Sequence, residues 1–159
     1  AKGCGNCVLQ KDIQKRIITM SRRLARQAAM SLLYERDINK EPESDTLQEM
    51  KDVLKTEEFI EKHGDYIDGI LNGYDSHAQE IDELISENCV GWKIDRLSRV
   101  DISILRLAVT ELKYMGTPVK VVVNEAVEIA KAYSTEKASS FINGVLASVI
   151  RELNNQEQH

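Results

Sequence analysis

The sequence predicts an all-α protein, and three observations lead to that class. The 159 residues include only two prolines and eight glycines, so residues that interrupt regular structure are scarce. From Ser21 onwards, apolar residues recur at spacings of three and four, which is the period of a helix with one buried face. Hydrophobic residues make up 42% of the chain and charged residues 30%, which suits one compact domain of ordinary size.

Residues 1–19 differ from the rest of the chain. Their first five positions show no helical period, and the segment has no long apolar core of the kind found in a secretory signal. Met20 stands immediately before a clear helix start. We therefore expect a leader or N-terminal extension without function over residues 1–19, followed by a single helical domain over residues 20–159.

The first predicted helix begins after Ser21, whose side chain is a favourable N-cap. Its buried stripe consists of Leu24, Ala25, Ala28, Ala29, Leu32 and Leu33. At about 100° per residue, a second group of side chains shares roughly a third of the circumference. These are Arg22, Arg23, Arg26, Met30 and Tyr34. Three cations and one aromatic ring are therefore expected on one flank of this helix.

The middle of the chain predicts three shorter helices. A polar loop over residues 38–46 precedes a short helix over residues 47–54. The next helix follows Thr56, a good N-cap, and is expected to end at Gly73. A further helix opens at Asp75 or Ser76.

The last third of the chain predicts three more helices, which gives about seven in all. A connection after Gly91 leads to a central core helix over residues 100–112. A helix from about Val121 to Tyr133 follows Pro118 despite its β-branched start, because its apolar residues keep the helical period. The final helix runs from about Glu136 to Leu153. Gly144 interrupts its apolar face, so we expect a neighbouring helix to approach closely there.

The sequence argues against an enzyme and against a metal centre. It contains none of the common nucleotide-binding, nucleophile or zinc-protease motifs, and its carboxylates are spaced as solvated helix faces. Cys4 and Cys7 form a C-x-x-C pair without a second pair, whereas a structural zinc site needs four ligands. Three cysteines cannot form a disulfide framework, which indicates a reducing cytoplasm. We predict no cofactor, no metal and no membrane span, and interpret His63 as a packed side chain.

Charge is distributed unevenly along the chain. Residues 1–36 carry eight basic and two acidic residues, whereas the remainder carries 13 basic and 24 acidic residues. Arginine pairs with phosphate through two parallel hydrogen bonds and stacks on bases, and an exposed aromatic ring offers a platform for an unpaired base. The flank with Arg22, Arg23, Arg26 and Tyr34 therefore suits single-stranded RNA. The alternative at this point is a basic helix start whose tyrosine serves only in packing.

Three ordered segments resemble the NusB family of bacterial transcription antitermination factors. The first is SRRLARQAAMSLLY at Ser21–Tyr34. The second is RLSRVD at Arg96–Asp101, which runs into ILRLA at Ile104–Ala108. The third is VNEAVEIAK at Val123–Lys131, which continues to FINGVL at Phe141–Leu146. Three motifs in order are far more specific than any one of them, and the resemblance extends from Met20 to about Leu153.

The resemblance implies a fold of two small helical bundles and binding to boxA-type single-stranded RNA in ribosomal RNA leader transcripts. It also implies a joint action with the ribosomal protein called NusE in an RNA polymerase complex, where premature termination is suppressed. Carried over by position, the RNA surface gains Lys137 and Phe141 from the last helix. Lys137 stands where the best-known bacterial member has an acidic residue. Asn124 and Glu125 are interpreted as structural.

Two other readings remain open at this stage. A NusB-like domain also occurs as an auxiliary part of an RNA cytosine methyltransferase, an enzyme that needs a second, cofactor-binding domain. A helical protein-protein adaptor would use the acidic body of the chain as its working surface. Family members occur as monomers and as homodimers, and the sequence does not decide between these states.

Overall fold

The computed structural model describes residues 22–37, 57–89, 91 and 96–158. Within these ranges the chain forms six α-helices and no strand, which confirms the all-α class. The helices are α1 (22–37), α2 (Glu57–Ser76), α3 (Ala78–Asn88), α4 (Arg99–Tyr114), α5 (Val119–Tyr133) and α6 (Glu136–Glu157). The predicted leader, Cys4, Cys7, the Ser21 cap and the predicted helix over residues 47–54 lie outside the described residues.

The starts of the last three helices follow from local sequence chemistry. Ser98 precedes α4, and its Oγ accepts a hydrogen bond from the Asp101 backbone N–H at 3.1 Å. Thr135 caps α6 in the same way, with the Ala138 backbone N–H donating at 3.0 Å. Pro118 precedes α5, where its fixed φ favours a helix start. The β-branched run that follows is helical, as predicted from its period.

Helix α4 lies at the centre of the fold. It packs against α2, α3, α5 and α6. Every α4 residue from Ile102 to Glu111 is buried except Arg106, so the helix is covered nearly all round. Such a helix is typical of the middle of a protein rather than of its surface. This agrees with the central core helix predicted over residues 100–112.

Two predictions about glycine are wrong. Gly73 does not end α2, which continues to Ser76. A Cβ atom at Gly73 would lie 3.0 Å from Thr110 Cγ2, so this glycine permits the close approach of α2 to α4. At Gly144, where a close approach was expected, no atom of the described residues lies within 4 Å of an added Cβ, and the residue is exposed. The start of α3 also differs, because its N-cap is His77 rather than Asp75 or Ser76.

The end of α1 is held by a network of charged side chains. Arg36 Nη1 donates to Asp75 at 2.6 Å, which ties α1 to the end of α2. Arg106 of α4 donates from Nε and Nη2 to the two Asp82 carboxylate oxygens of α3, both at 3.0 Å. Asp37 lies between two arginines, accepting from Arg99 Nη1 at 2.5 Å and pairing with Arg106 at 3.4 Å. Helices α1 to α4 are therefore joined at one end.

None of the helices in the described ranges combines the length and the apolar character that crossing a lipid bilayer requires. The same ranges contain no group of three or more histidine, cysteine, aspartate or glutamate residues placed to hold a metal ion.

Candidate nucleic-acid interface

The structure divides the predicted basic flank of α1 into a buried part and an exposed part. Arg26 is only 6% exposed. Its Nε and Nη2 atoms make three hydrogen bonds to the Glu111 carboxylate of α4, at 3.0 to 3.2 Å. Burial disfavours the charged guanidinium, but the hydrogen bonds and charge of Glu111 outweigh it and raise the pKa of Arg26. Met30, on the same flank, is buried as well.

Arg22 is half-buried and lies against α2. Its guanidinium carbon is 4.5 Å from the centre of the Tyr66 ring, which is a cation-π contact. Its Nη1 atom is buried and has no hydrogen-bond partner among the described residues. His63, one turn before Tyr66 on α2, is 5% exposed, and neither of its ring nitrogens has a partner either. His63 is therefore a packed side chain, as the sequence indicated.

Arg23 is the arginine of this flank that faces solvent. Its side chain is 39% exposed. Nε donates to Glu125 Oε2 at 2.8 Å, and Nη2 donates to Glu125 Oε1 at 2.9 Å. These hydrogen bonds hold the pKa of Glu125 below its usual value and raise that of Arg23. Nη1, on the far edge of the guanidinium, donates to no described residue.

The other predicted site residues have mixed surroundings. Tyr34, near the end of α1, is half-buried. Lys137 lies in the first turn of α6 and is exposed. Phe141, one turn later, is half-buried and packs against the hydrophobic core. The assignment of these residues, and of Arg22, Arg23 and Arg26, to an RNA surface stays a prediction.

An exposed tyrosine that the sequence analysis did not single out connects α1 to the junction between α5 and α6. Tyr133 is 52% exposed, and its hydroxyl donates to Gln27 Oε1 of α1 at 3.2 Å. Tyr133 is the last residue of α5 and stands four residues before Lys137. The sequence did contain an indication of this exposed ring, because Tyr133 is an aromatic residue at a helix end, outside the apolar stripe and next to a turn. The contact brings together two segments that are more than a hundred residues apart in sequence.

The arrangement supports electrostatic contact with a polyanion and stacking on an aromatic ring. It offers one oriented guanidinium edge on Arg23, one exposed ammonium on Lys137 and one exposed ring on Tyr133. Leu24 of α1 and Val121 of α5 are exposed as well, at 44% and 40%.

Comparison with known proteins identifies the family of this chain. The model of the NusB family matches residues 23–151. The transcription antitermination protein NusB of Clostridium botulinum is 43% identical over 143 residues, which covers 82% of this chain and all of the relative.

Two solved structures have the same fold. The NusB structure from T. maritima superposes with a TM-score of 0.69 at 34% identity and covers 82% of this chain and 91% of its own. A crystal structure of the antitermination factors NusB and NusE in complex with double-stranded RNA superposes with a TM-score of 0.70 at 29% identity, covering 84% of this chain and 98% of its own. Because the family model spans most of the chain and the relative is matched over its full length, this chain belongs to the NusB family of transcription antitermination factors, which are not enzymes.

Proposed function

We propose that this protein binds boxA-type single-stranded RNA in ribosomal RNA leader transcripts, together with the ribosomal protein acting as NusE. Bound in this way, it joins an RNA polymerase antitermination complex in the cytoplasm and suppresses premature termination. The domain responsible spans residues 20–159. The likeness to an RNA-bound complex of NusB and NusE supports RNA and NusE as partners.

The observation that carries the proposal is the joining of α1 to the helix pair α5 and α6. The pair between Arg23 and Glu125 fixes the start of α1 to α5, and the bond between Tyr133 and Gln27 fixes its middle to the end of α5. These contacts place α1 beside the end of α5, which leads into the first turn of α6 where Lys137 lies, and this supports a surface to which both segments contribute. A phosphate-binding cation and a stacking ring on one surface are what a single strand requires.

The residues divide into three roles in this proposal. Arg22, Arg23 and Lys137 neutralise phosphates, and Tyr34 and Phe141 contact bases. Tyr133 adds a stacking ring, because it is the most exposed of these aromatic side chains. Arg26 supports the proposed surface indirectly, because its guanidinium pairs with Glu111 and so orients α1 on α4.

A titration of fluorescein-labelled RNA followed by anisotropy tests the proposal. The probes are a boxA-type RNA, a scrambled RNA of the same composition and a duplex of the boxA-type strand, each with and without saturating NusE. We expect the boxA-type single strand to bind most tightly and NusE to increase its affinity about five- to 150-fold, the usual range of coupling between two sites.

Two substitutions separate the proposed roles. Lys137→Ala should weaken matched and scrambled RNA alike and lower the salt slope of the affinity by roughly 0.7, the value for one phosphate contact on a single strand. Tyr133→Ala should instead weaken binding with little change in the salt slope, because stacking is not ionic. Equal affinity for all probes, unchanged by NusE, would contradict the antitermination role and favour the adaptor.

A further inference from the structure

We propose that Glu125 is a positioning residue for RNA binding. By holding one edge of the Arg23 guanidinium, it directs the opposite edge towards a phosphate of the RNA. This inference rests on the proposed function and adds to it a residue that does not itself touch RNA.

The geometry of the pair gives the guanidinium a defined orientation. A guanidinium is planar and carries five N–H donors in a fixed arrangement. Glu125 accepts hydrogen bonds from Arg23 Nε and Nη2, at 2.8 and 2.9 Å, so both bonds lie along one edge of the guanidinium. Nη1 projects from the other edge, and no described residue accepts from it. The carboxylate is buried, with 7% of its side chain exposed, whereas 39% of the arginine side chain remains exposed.

The neighbouring pair on α1 shows how a purely structural arginine differs. Arg26 and Glu111 lie one turn further along, and their side chains are 7% and 2% exposed. That guanidinium is enclosed by the fold. Arg23 is also held by a carboxylate through Nε and Nη2, but it sits at the boundary with solvent, where a second anion can reach it.

A carboxylate beside an RNA-binding cation has two opposing effects. Its negative charge repels phosphate, which weakens binding. Its hydrogen bonds keep a long, flexible side chain in one orientation before RNA arrives, which strengthens binding because less freedom is lost on association. Glu125 is buried behind the arginine rather than exposed beside it, so we infer that the second effect dominates.

Because the two effects act in opposite directions, the direction in which RNA affinity changes shows which of them dominates. Glu125→Gln removes the charge with little change in shape and loosens the hold on Arg23. Glu128→Gln is the matched control, because it removes the same charge one turn away on α5. The Glu128 side chain is 42% exposed, pairs with Lys131 at 3.5 Å, and is close enough to Arg23 to raise the pKa of that arginine. Charge alone predicts that both variants bind RNA more tightly.

We expect Glu125→Gln to weaken binding of the fluorescein-labelled boxA-type RNA about three- to tenfold, within the range found for contacting residues that act together. Glu128→Gln should leave the affinity unchanged or increase it up to about twofold, the size expected of an exposed charge. Arg23→Lys keeps the positive charge but cannot form the two-bond contact, so it should weaken binding as Glu125→Gln does. In an Arg23→Ala background, Glu125→Gln should have no further effect on RNA binding.

Thermal melting of each variant shows whether it is folded at the temperature of the titration. If Glu125→Gln is not folded, the Arg23→Lys variant alone tests the inference. RNA affinity equal to that of the wild type in Arg23→Lys then overturns it. Binding by Glu125→Gln as tight as by Glu128→Gln would also overturn it, as would an equal loss from Glu125→Gln with and without Arg23. These results leave wild-type RNA binding intact and so differ from failure of the proposed function, in which the wild-type protein itself does not bind the RNA.

Discussion

Arg23 and Arg26 lie three residues apart on α1, and the carboxylates they contact give them different surroundings. Glu111 lies near the C-terminal end of α4, is 1% exposed and also accepts from Thr117 Oγ1 at 3.2 Å. Glu125 lies near the middle of α5, and the arginine that it holds is partly exposed. Arg26 is therefore paired inside the core, whereas Arg23 forms a similar pair at the boundary with solvent.

Removing one partner of the buried pair between Arg26 and Glu111 should destabilise the fold strongly. Glu111→Ala leaves the guanidinium charged and unpaired in the core, which costs about 3 to 5 kcal/mol. The exposed pair between Glu128 and Lys131 is the comparison, because Glu128→Gln should change the free energy of unfolding by at most about 1 kcal/mol. Urea denaturation at neutral pH measures both. Similar losses in the two variants would contradict the assignment of Arg26 to the core.

His63 should make the fold sensitive to mild acid. Burial, together with the charges of Arg22 and Lys62, holds the pKa of His63 below its ordinary value of 6.5. The folded state thus binds fewer protons than the unfolded state, and stability is lost as the pH falls below about 6.5. Because neither ring nitrogen has a hydrogen-bond partner among the described residues, His63→Leu should remove this loss without breaking any bond between them.

The check for His63 is the difference in unfolding free energy between wild type and His63→Leu, measured at about pH 7.5 and about pH 5.5. We expect the unfolding free energy of His63→Leu, relative to that of the wild type, to be higher at about pH 5.5 than at about pH 7.5. A difference that does not change with pH would show that His63 has the same pKa in the folded and unfolded states.

At the scale of single residues, helix periodicity predicted that Arg22, Arg23 and Arg26 share one flank. It could not predict which of them is buried. That outcome depends on Glu111 and Glu125, which lie 85 and 102 residues away in sequence. Tyr133 was missed for a related reason, since its exposure and its bond to Gln27 depend on how α5 lies beside α1.

At the scale of helices, the sequence predicted most elements because capping and apolar spacing are local. Ser98, Pro118 and the residues before α6 stand where helices begin. The two glycines could not be interpreted locally. Gly73 and Gly144 both interrupt helical patterns, but only the packing of α2 on α4 gives the first a steric role.

These two glycines provide a matched test. Alanine favours a helix interior over glycine by about 1 kcal/mol. Gly144→Ala should therefore stabilise the protein by up to about that amount, because its surroundings are open. Gly73→Ala should destabilise it, because the new methyl group would meet Thr110 Cγ2 at 3.0 Å. In a Thr110→Ser background, which lacks that methyl group, the loss should shrink or reverse.

The measurement is the free energy of unfolding in urea for each glycine variant. Stabilisation by Gly73→Ala in the wild-type background would show that α2 can move away from α4 at little cost. Destabilisation by Gly144→Ala would show that the α6 surface is covered by a part of the chain outside the described residues.

At the scale of the whole molecule, the prediction of an all-helical protein with a central helix is confirmed, because the apolar pattern over residues 100–112 is the broadest in the chain. The pairing of helices could not be predicted from that pattern. It depends on long-range contacts such as those of Arg106 with Asp82 and Asp37, whose residue types are common on any solvated surface.

The central position of α4 has a consequence for how the protein opens. Four helices contact α4, and its side chains join α1 through Glu111, so no single neighbour can leave and expose its backbone. Its amide hydrogens should therefore exchange with deuterium only when the entire protein unfolds. The last turn of α6, where residues 154–157 are exposed, should exchange first by fraying. Exchange followed by mass spectrometry would then measure the global unfolding free energy in α4, and the ends of α1 and α5 that we propose to contact RNA would open while that centre stays closed.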